Sequence, residues 1–408
     1  MKRLENARVL MYSHDTFGLG HLRRCRTIAH ALVEQFKGLN VLIISGSPIA
    51  GAFDFKARVD FVKIPSVIKL HNGQYTSLDE HIDLDETLKM RESIIRHTAE
   101  QFKPDMFIVD KEPLGLHGEI EGTLRYLKEE GCTLVVGLRD VMDAPDLLKT
   151  EWKRRGILPK LDELYDDIWV YGPPGFWNPL SGLKTSKHLN QRITYTGYLE
   201  RHSPSEQKTE LNSIEGDYIL VTTGGGGDGA EMVNAVLAGY EHAESDPEID
   251  LLPAVVILGP FMPTQQREAI LARAEKLDKI SLLDFDNRIE TLITDAKALV
   301  GMGGYNTFCE ILSFDKRAII IPRTEPRQEQ LIRARRAAEL GVVITLEPQD
   351  ADVAAKMAEA LDALPKRRKP SQAGCRLPLD GLEKIGTVVE QHLTRPQWPE
   401  LRVIAGGA

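Results

Sequence analysis

The chain has 408 residues, 42% of them hydrophobic and 27% charged, with a formal net charge of −9. Its length exceeds what one ordinary core organises and favours two domains, with enough apolar content to pack both. The acidic balance excludes a general nucleic-acid binder, which would carry a basic surplus, but not an anionic small molecule held by local donors and helix ends.

In chain order, Met1 to Val9 is charged and leads straight into a strand, with no signal-peptide core. Strand-length apolar runs follow at Arg8–Ser13, Asn40–Ser45, Val59–Ile64, Met106–Asp110, Thr133–Leu138 and Ile168–Tyr171. After the polar stretch Glu200–Glu215 the rhythm restarts with Tyr218–Thr223, Ala254–Leu258, Ile280–Leu283, Ala298–Gly301, Ala318–Ile321 and Val342–Thr345. Helical periodicity fills the intervals, as in Leu22–Phe36, Leu84–Phe102, Glu231–Ala243 and Gln330–Leu340. Such alternation predicts an α/β protein of two Rossmann-like, doubly wound domains, each a parallel sheet with helices on both faces.

The expected division is residues 1–203, residues 204–378, and a final helix and tail over 379–408 able to pack back on the first domain. Lys366–Lys369, between Pro365 and Pro370, reads as an exposed linker. No apolar run approaches the ~20 residues of a membrane span, so a cytoplasmic protein is expected, with peripheral membrane contact left open. Cys25, Cys132, Cys309 and Cys375 lack CxxC spacing and read as reduced thiols rather than a zinc site or disulfide framework.

Ligands of open parallel sheets sit beyond the carboxyl ends of the strands, so the motifs that matter lie just after strands. The first runs from His14 to His21. Gly18 and Gly20 allow close backbone approach, and His21 stands at a helix start, where the dipole favours a neutral ring able to accept a proton. The second, Thr222 to Ala230, holds four consecutive glycines, and Gly225, Gly226 and Gly227 would form a phosphate cradle. A flexible interdomain loop is the alternative. No Lys-Ser/Thr follows, so it is not a P-loop.

The third motif, Gly301 to Glu310, opens another helix with glycines. Gly303, Gly304, Tyr305, Asn306 and Thr307 would present N–H groups to a diphosphate, and Glu310 could accept hydrogen bonds from a ribose diol. A carboxylate merely paired with the helix dipole is the plainer reading of Glu310. Further on, Glu329 and Gln330 follow a proline-rich loop and suit a polyhydroxylated ring. In the first half, Asp110 and Glu112 follow a strand and could serve as base or hold acceptor hydroxyls. Salt bridges explain them, and the pair Arg139-Asp140, at least as well. Trp177 reads as an acceptor lip or as packing under a turn. Asp284-Phe285-Asp286 spells a metal motif of another fold, and neither metal nor cofactor is expected.

On these residues, the stretch from Phe285 through Gly341 resembles the nucleotide-sugar-binding half of the GT-B glycosyltransferases, especially the lipid-II-forming N-acetylglucosaminyltransferase family. Gly18 to Cys25 is similar to the Gly-x-Gly-His-x-x-Arg-Cys loop of the UDP-sugar hydrolase of pseudaminic acid biosynthesis, which shares that fold. The resemblance implies a GT-B enzyme of cell-envelope or glycoconjugate biosynthesis. It would move a hexosyl group, without a metal, from a nucleoside diphosphate sugar to an unidentified hydroxyl acceptor, with a UDP-sugar as the favoured donor. It implies that Glu310 holds the ribose, Thr307 and nearby backbone the diphosphate, and Glu329 and Gln330 the sugar. Phe285 and Asp286 would meet the base, Arg201 the diphosphate, and His21 would activate the nucleophile. Residues 60–200 match neither relative, which leaves the acceptor open. A hydrolase or epimerase of the same fold, or a non-catalytic nucleotide-sugar sensor, stand as alternatives.

Overall fold

Two parallel sheets organise the computed structural model, which describes residues 2–394 except 5, 15–18, 70–74, 79–80, 204–215, 226 and 284–288. The first sheet contains β1 (Arg8–Ser13), β2 (Asn40–Ser45), β3 (Val59–Lys63), β4 (Met106–Asp110), β5 (Thr133–Arg139), β6 (Asp167–Tyr171) and β7 (Ile193–Tyr195). The second contains β8 (Ile219–Thr222), β9 (Ala254–Ile257), β10 (Ile280–Leu283), β11 (Ala298–Gly301), β12 (Arg317–Ile320) and β13 (Ile344–Thr345). The spatial orders are β7-β6-β5-β4-β1-β2-β3 and β10-β9-β8-β11-β12-β13, with every pairing parallel.

The central strands are unbroken apolar runs because both their faces are covered. In β1, Val9 and Met11 enter the core on one face, while Leu10 and Tyr12 enter that on the other, as the two-residue period of a strand requires. Each sheet reverses its winding direction once, between β1 and β4 and between β8 and β11. At such a reversal neighbouring strands send the chain to opposite faces, leaving a crevice beyond their carboxyl ends.

The helices that build the site are α1 (Gly20–Gln35), α2 (Pro145–Arg155), α3 (Ala230–Glu244), α4 (Tyr305–Ser313) and α5 (Glu329–Glu339). The last helix, α6 (Gly381–Leu393), follows the second sheet in sequence but lies against α1. Gln35 donates to the Leu382 carbonyl at 3.1 Å, and a Cβ on Gly386 would fall 1.7 Å from the Gln35 side-chain oxygen.

Several local details depart from the sequence expectation. β7 occupies a stretch read as lacking a strand, and Val342–Thr345 shortens to Ile344–Thr345. The basic run at 366–368 is exposed, as expected of a linker, and buried Leu364 and Pro370 anchor it at both ends. Trp177 packs against the hydrophobic core, the plainer of its two readings. Among the described residues no helix is long and apolar enough to cross a membrane.

Candidate active site

The strand ends and helix starts at the two reversal points enclose a cleft of about 620 Å³, within the ordinary range for a small-molecule site. The first domain contributes the β1–α1 loop and the residues after β4 and β5. The second contributes the loops after β8, β11 and β12.

His21 lines this cleft from the first turn of α1. Its Nδ1 lies 2.5 Å from Asp110 Oδ2, at the buried end of β4. Arg24, three residues along α1, shares a helix face with His21 and grips the same carboxylate through Nε at 2.7 Å and Nη2 at 2.6 Å. Burial alone would raise the pKa of Asp110, but Arg24 and His21 hold it well below the usual range. Burial pulls His21 down, against the opposing pull of Asp110, and the ring is neutral near pH 7. With Nδ1–H donated to a carboxylate, the lone pair sits on Nε2, the tautomer a general base needs. His14 lines the cleft beside it, ring centroids 5.6 Å apart, and burial pushes its pKa well down too.

Part of the opposite wall is built from backbone. Gly303, expected at the donor, does not itself line the cleft but turns the chain into α4 with φ +76°, a region that disfavours residues with a Cβ. A Cβ there would also meet Ile320 Cγ2 at 2.6 Å. Gly304 precedes α4, and no side chain caps that helix, so its first N–H groups lack helical partners. Helix α1 also starts without a side-chain cap. The two starts meet at Asn306, whose Nδ2 donates to the Gly20 carbonyl at 3.0 Å. Gly20, Gly225, Gly227, Gly304, Tyr305, Asn306 and Thr307 all line the cleft.

Beyond β12, Glu329 and Gln330 open α5 and line the same space. Arg323 donates to Glu329 Oε1 at 2.8 Å, and its backbone N–H donates to Gln330 Oε1 at 2.9 Å. Burial would raise the pKa of Glu329, but Arg139 and Arg323 bring it down to about 2.

Other expected site residues occupy different places. Glu310 does not line the cleft. It is 1% exposed and accepts a hydrogen bond from Arg23 of α1 at 2.5 Å, while Arg23 also reaches Glu290 at 2.9 Å. Burial and the Glu290 carboxylate push Glu310 up, against the pull of Arg23. Arg201, expected at a diphosphate, is buried in the domain junction and donates to Asn306 Oδ1 at 2.7 Å. Its contact with the cleft therefore runs through Asn306. Asp110 lies behind His21 rather than on the cleft surface, so its geometry is that of an orienting group. Glu112 lines the cleft and accepts from Arg155 of α2 at 2.7 Å. Gly18, Gly226, Phe285 and Asp286 lie outside the described residues.

Apart from Arg139, weighed in its pair with Asp140, the cations around the cleft were not singled out by sequence reasoning, which weighed the strand-end acids first. Arg23, Arg24, Lys111, Arg139, Arg323 and Arg327 all line it. A signal was present: Arg24 follows His21 at helical spacing, and Lys111 and Arg139 stand at or just past strand ends.

Among curated proteins none matches this sequence. Solved structures do match in fold. The glycosyltransferase of kitacinnamycin shares 14% identity and a TM-score of 0.63, over 95% of this chain and 100% of its own. A Listeria monocytogenes protein assigned as a UDP-N-acetylglucosamine 2-epimerase shares 12% and 0.61, over 98% and 99%. Acinetobacter baumannii MurG shares 13% and 0.56, over 94% and 99%. The architecture of the whole chain is thus GT-B, and residues 218–374 match the glycosyltransferase family 28 C-terminal domain.

Proposed function

We propose that the protein is a glycosyltransferase that moves a hexosyl group from a nucleoside diphosphate sugar, with a UDP-sugar favoured, to an acceptor hydroxyl without a metal. One observation carries this reading: the uncapped starts of α1 and α4 meet at a cleft whose wall holds His21, oriented by Asp110. The diphosphate would lie against the N–H groups at Gly304–Thr307. His21 Nε2 would take the proton of the acceptor hydroxyl as its oxygen attacks the anomeric carbon. The bond from that carbon to the diphosphate oxygen breaks, and the charge left on the diphosphate is met by the two helix starts. Asp110 would stabilise the imidazolium that forms. Glu329 and Gln330 would hold the sugar hydroxyls. For the ribose, Glu310 would act once Arg23 turns from it to the ligand.

The first test is a thermal-shift screen against nucleoside diphosphates and their sugars, followed by product analysis with an acceptor panel. If UDP-, GDP-, dTDP- and ADP-sugars all leave the melting point unmoved, the reading is lost. A second reading is a hydrolase or epimerase on the same donor. It is favoured by the fold likeness to the Listeria protein and by the Gly-x-Gly-His loop. Stoichiometric free sugar, or a C2 epimer, formed without any acceptor would establish it in place of transfer.

A further inference from the structure

Most cations of the cleft are committed to a carboxylate. Arg24 is held by Asp110 and Arg23 by Glu310. Arg323 reaches Glu329, and Arg327 reaches Glu151 at 3.2 Å. Behind the cleft wall, Arg333 donates to Asp140 at 2.6 Å.

Two cleft cations are not committed in this way. Arg139, at the end of β5, has a buried Nε with no hydrogen-bond partner. The Glu329 carboxylate stands 4.0 Å away, its Oε1 bonded to Arg323 and its Oε2 without a hydrogen-bond partner. Lys111, just past β4, makes a long ion pair with Glu112 Oε1 at 3.5 Å, and Arg155 shares that carboxylate through Oε2 at 2.7 Å. The two positions are neighbours in the sheet, since Asp110 pairs with Gly137. Their side chains are 10% and 12% exposed and both line the cleft. Lys111 also holds a left-handed backbone, φ +68°, which costs a residue with a Cβ roughly 1–2 kcal/mol and tends to persist where function demands it.

Two buried cations whose counter-charges are long-range and shared with other arginines are costly. Sugar hydroxyls would compensate them poorly, whereas a ligand carrying full negative charge would satisfy both. Burial above all, with Arg327 and Arg139 nearby, lowers the Lys111 pKa to about 7, against the pull of Glu112 and Glu329.

We propose that Lys111 and Arg139 form an oxyanion subsite of the cleft, taking a carboxylate or phosphate carried by the donor sugar or by the acceptor. The source of that anion rests on the nucleotide-sugar reading above; the subsite itself can be tested apart from it.

The test is titration calorimetry on the full chain in two arms. In the first, UDP-glucuronate is compared with UDP-glucose, which places the anion on the donor sugar. In the second, inorganic phosphate and glucose 6-phosphate are compared with glucose, with and without saturating UDP, which places it on the acceptor. In at least one arm the charged ligand should bind about tenfold tighter than its neutral counterpart, the worth of a charged hydrogen bond. Arg139→Gln and Lys111→Gln should each reduce that preference to under about threefold, and Arg139→Lys should restore part of it. Either Gln variant that melts cooperatively suffices, so a folding failure of one leaves the test intact.

Equal affinities in both arms, or an undiminished preference in the Gln variants, would overturn the subsite. If UDP alone binds but no charge preference exists, the subsite falls and the donor reading survives. If UDP fails to bind while phosphate binds in an Arg139-dependent way, the reverse holds.

Discussion

Across the cleft, the C-terminal wall sets a stretch of backbone, at glycine turns and a helix start, beside the side chains after β12, whereas the N-terminal wall gathers ionisable side chains around His21. The backbone lies at Gly225, Gly227, Gly304 and the uncapped start of α4. The ionisable side chains are His14, His21, Lys111, Glu112 and Arg139, buried to differing degrees behind strand ends. A backbone wall suits a moiety shared by many substrates, because N–H groups and a helix dipole recognise charge and not identity. A side-chain wall can be varied residue by residue, which suits a particular acceptor and the proton transfer it needs.

The largest effect separating the two walls should come from His21→Ala. If the N-terminal wall does the proton transfer, turnover falls at least ~100-fold while UDP affinity in calorimetry stays within about twofold. A parallel loss of both would show that the walls are not separable. Next is Asp110→Asn, which keeps the shape but removes the charge that orients His21 and pairs with Arg24. The rate should drop about tenfold or more, and the fold should lose about 3–5 kcal/mol because Arg24 is left buried without its partner. The pH profile distinguishes positioning from mere destabilisation. Burial holds His21 below its usual value of 6.5, so wild-type kcat/KM should rise with pH through an apparent pKa under 6.5. Asp110 raises that pKa, so in the variant the acid limb should shift to lower pH. An unmoved limb removes Asp110 from the mechanism.

The backbone wall was largely legible in the sequence, and the ion pairs were not. The strands Arg8–Ser13, Asn40–Ser45 and Met106–Asp110 have the expected bounds, because buried parallel strands are continuous apolar runs cut off by polar residues. Glycines at strand–helix turns announced the helix starts for the same local reason. Helix ends were harder: α1 and α4 begin without a capping side chain, so the usual signal is missing. The pairs that join the domains lie 287 residues apart for Arg23 and Glu310, and 193 for Arg333 and Asp140. No periodicity encodes a partner at such range. Glu310 was therefore read from its own helix alone, without the arginine that the other domain lays on it.

That arginine makes Glu310→Ala the next test. The variant frees Arg23 from one carboxylate but leaves it Glu290, so the fold should hold. If Glu310 receives the ribose, UDP affinity should weaken about tenfold, the worth of one charged hydrogen bond. Unchanged affinity would reduce Glu310 to a strut for Arg23 and leave the nucleoside to other parts of the C-terminal wall.

The smallest effect is the most diagnostic of a backbone wall. Gly303 and Gly304 are adjacent but differ in what a methyl group would meet. At Gly303 a Cβ collides with Ile320 at 2.6 Å and the backbone is left-handed, so Gly303→Ala should cost stability, about 1–3 kcal/mol. At Gly304 nothing lies within 4 Å and the backbone is ordinary. Gly304→Ala should leave the melting point within about a degree, yet its methyl group would stand in the cleft beside the α4 start. A loss of UDP affinity of about threefold or more, without loss of stability, would mean that the ligand approaches the main chain there. Full affinity in that variant would move the diphosphate away from α4 altogether, and the backbone wall would be architecture alone.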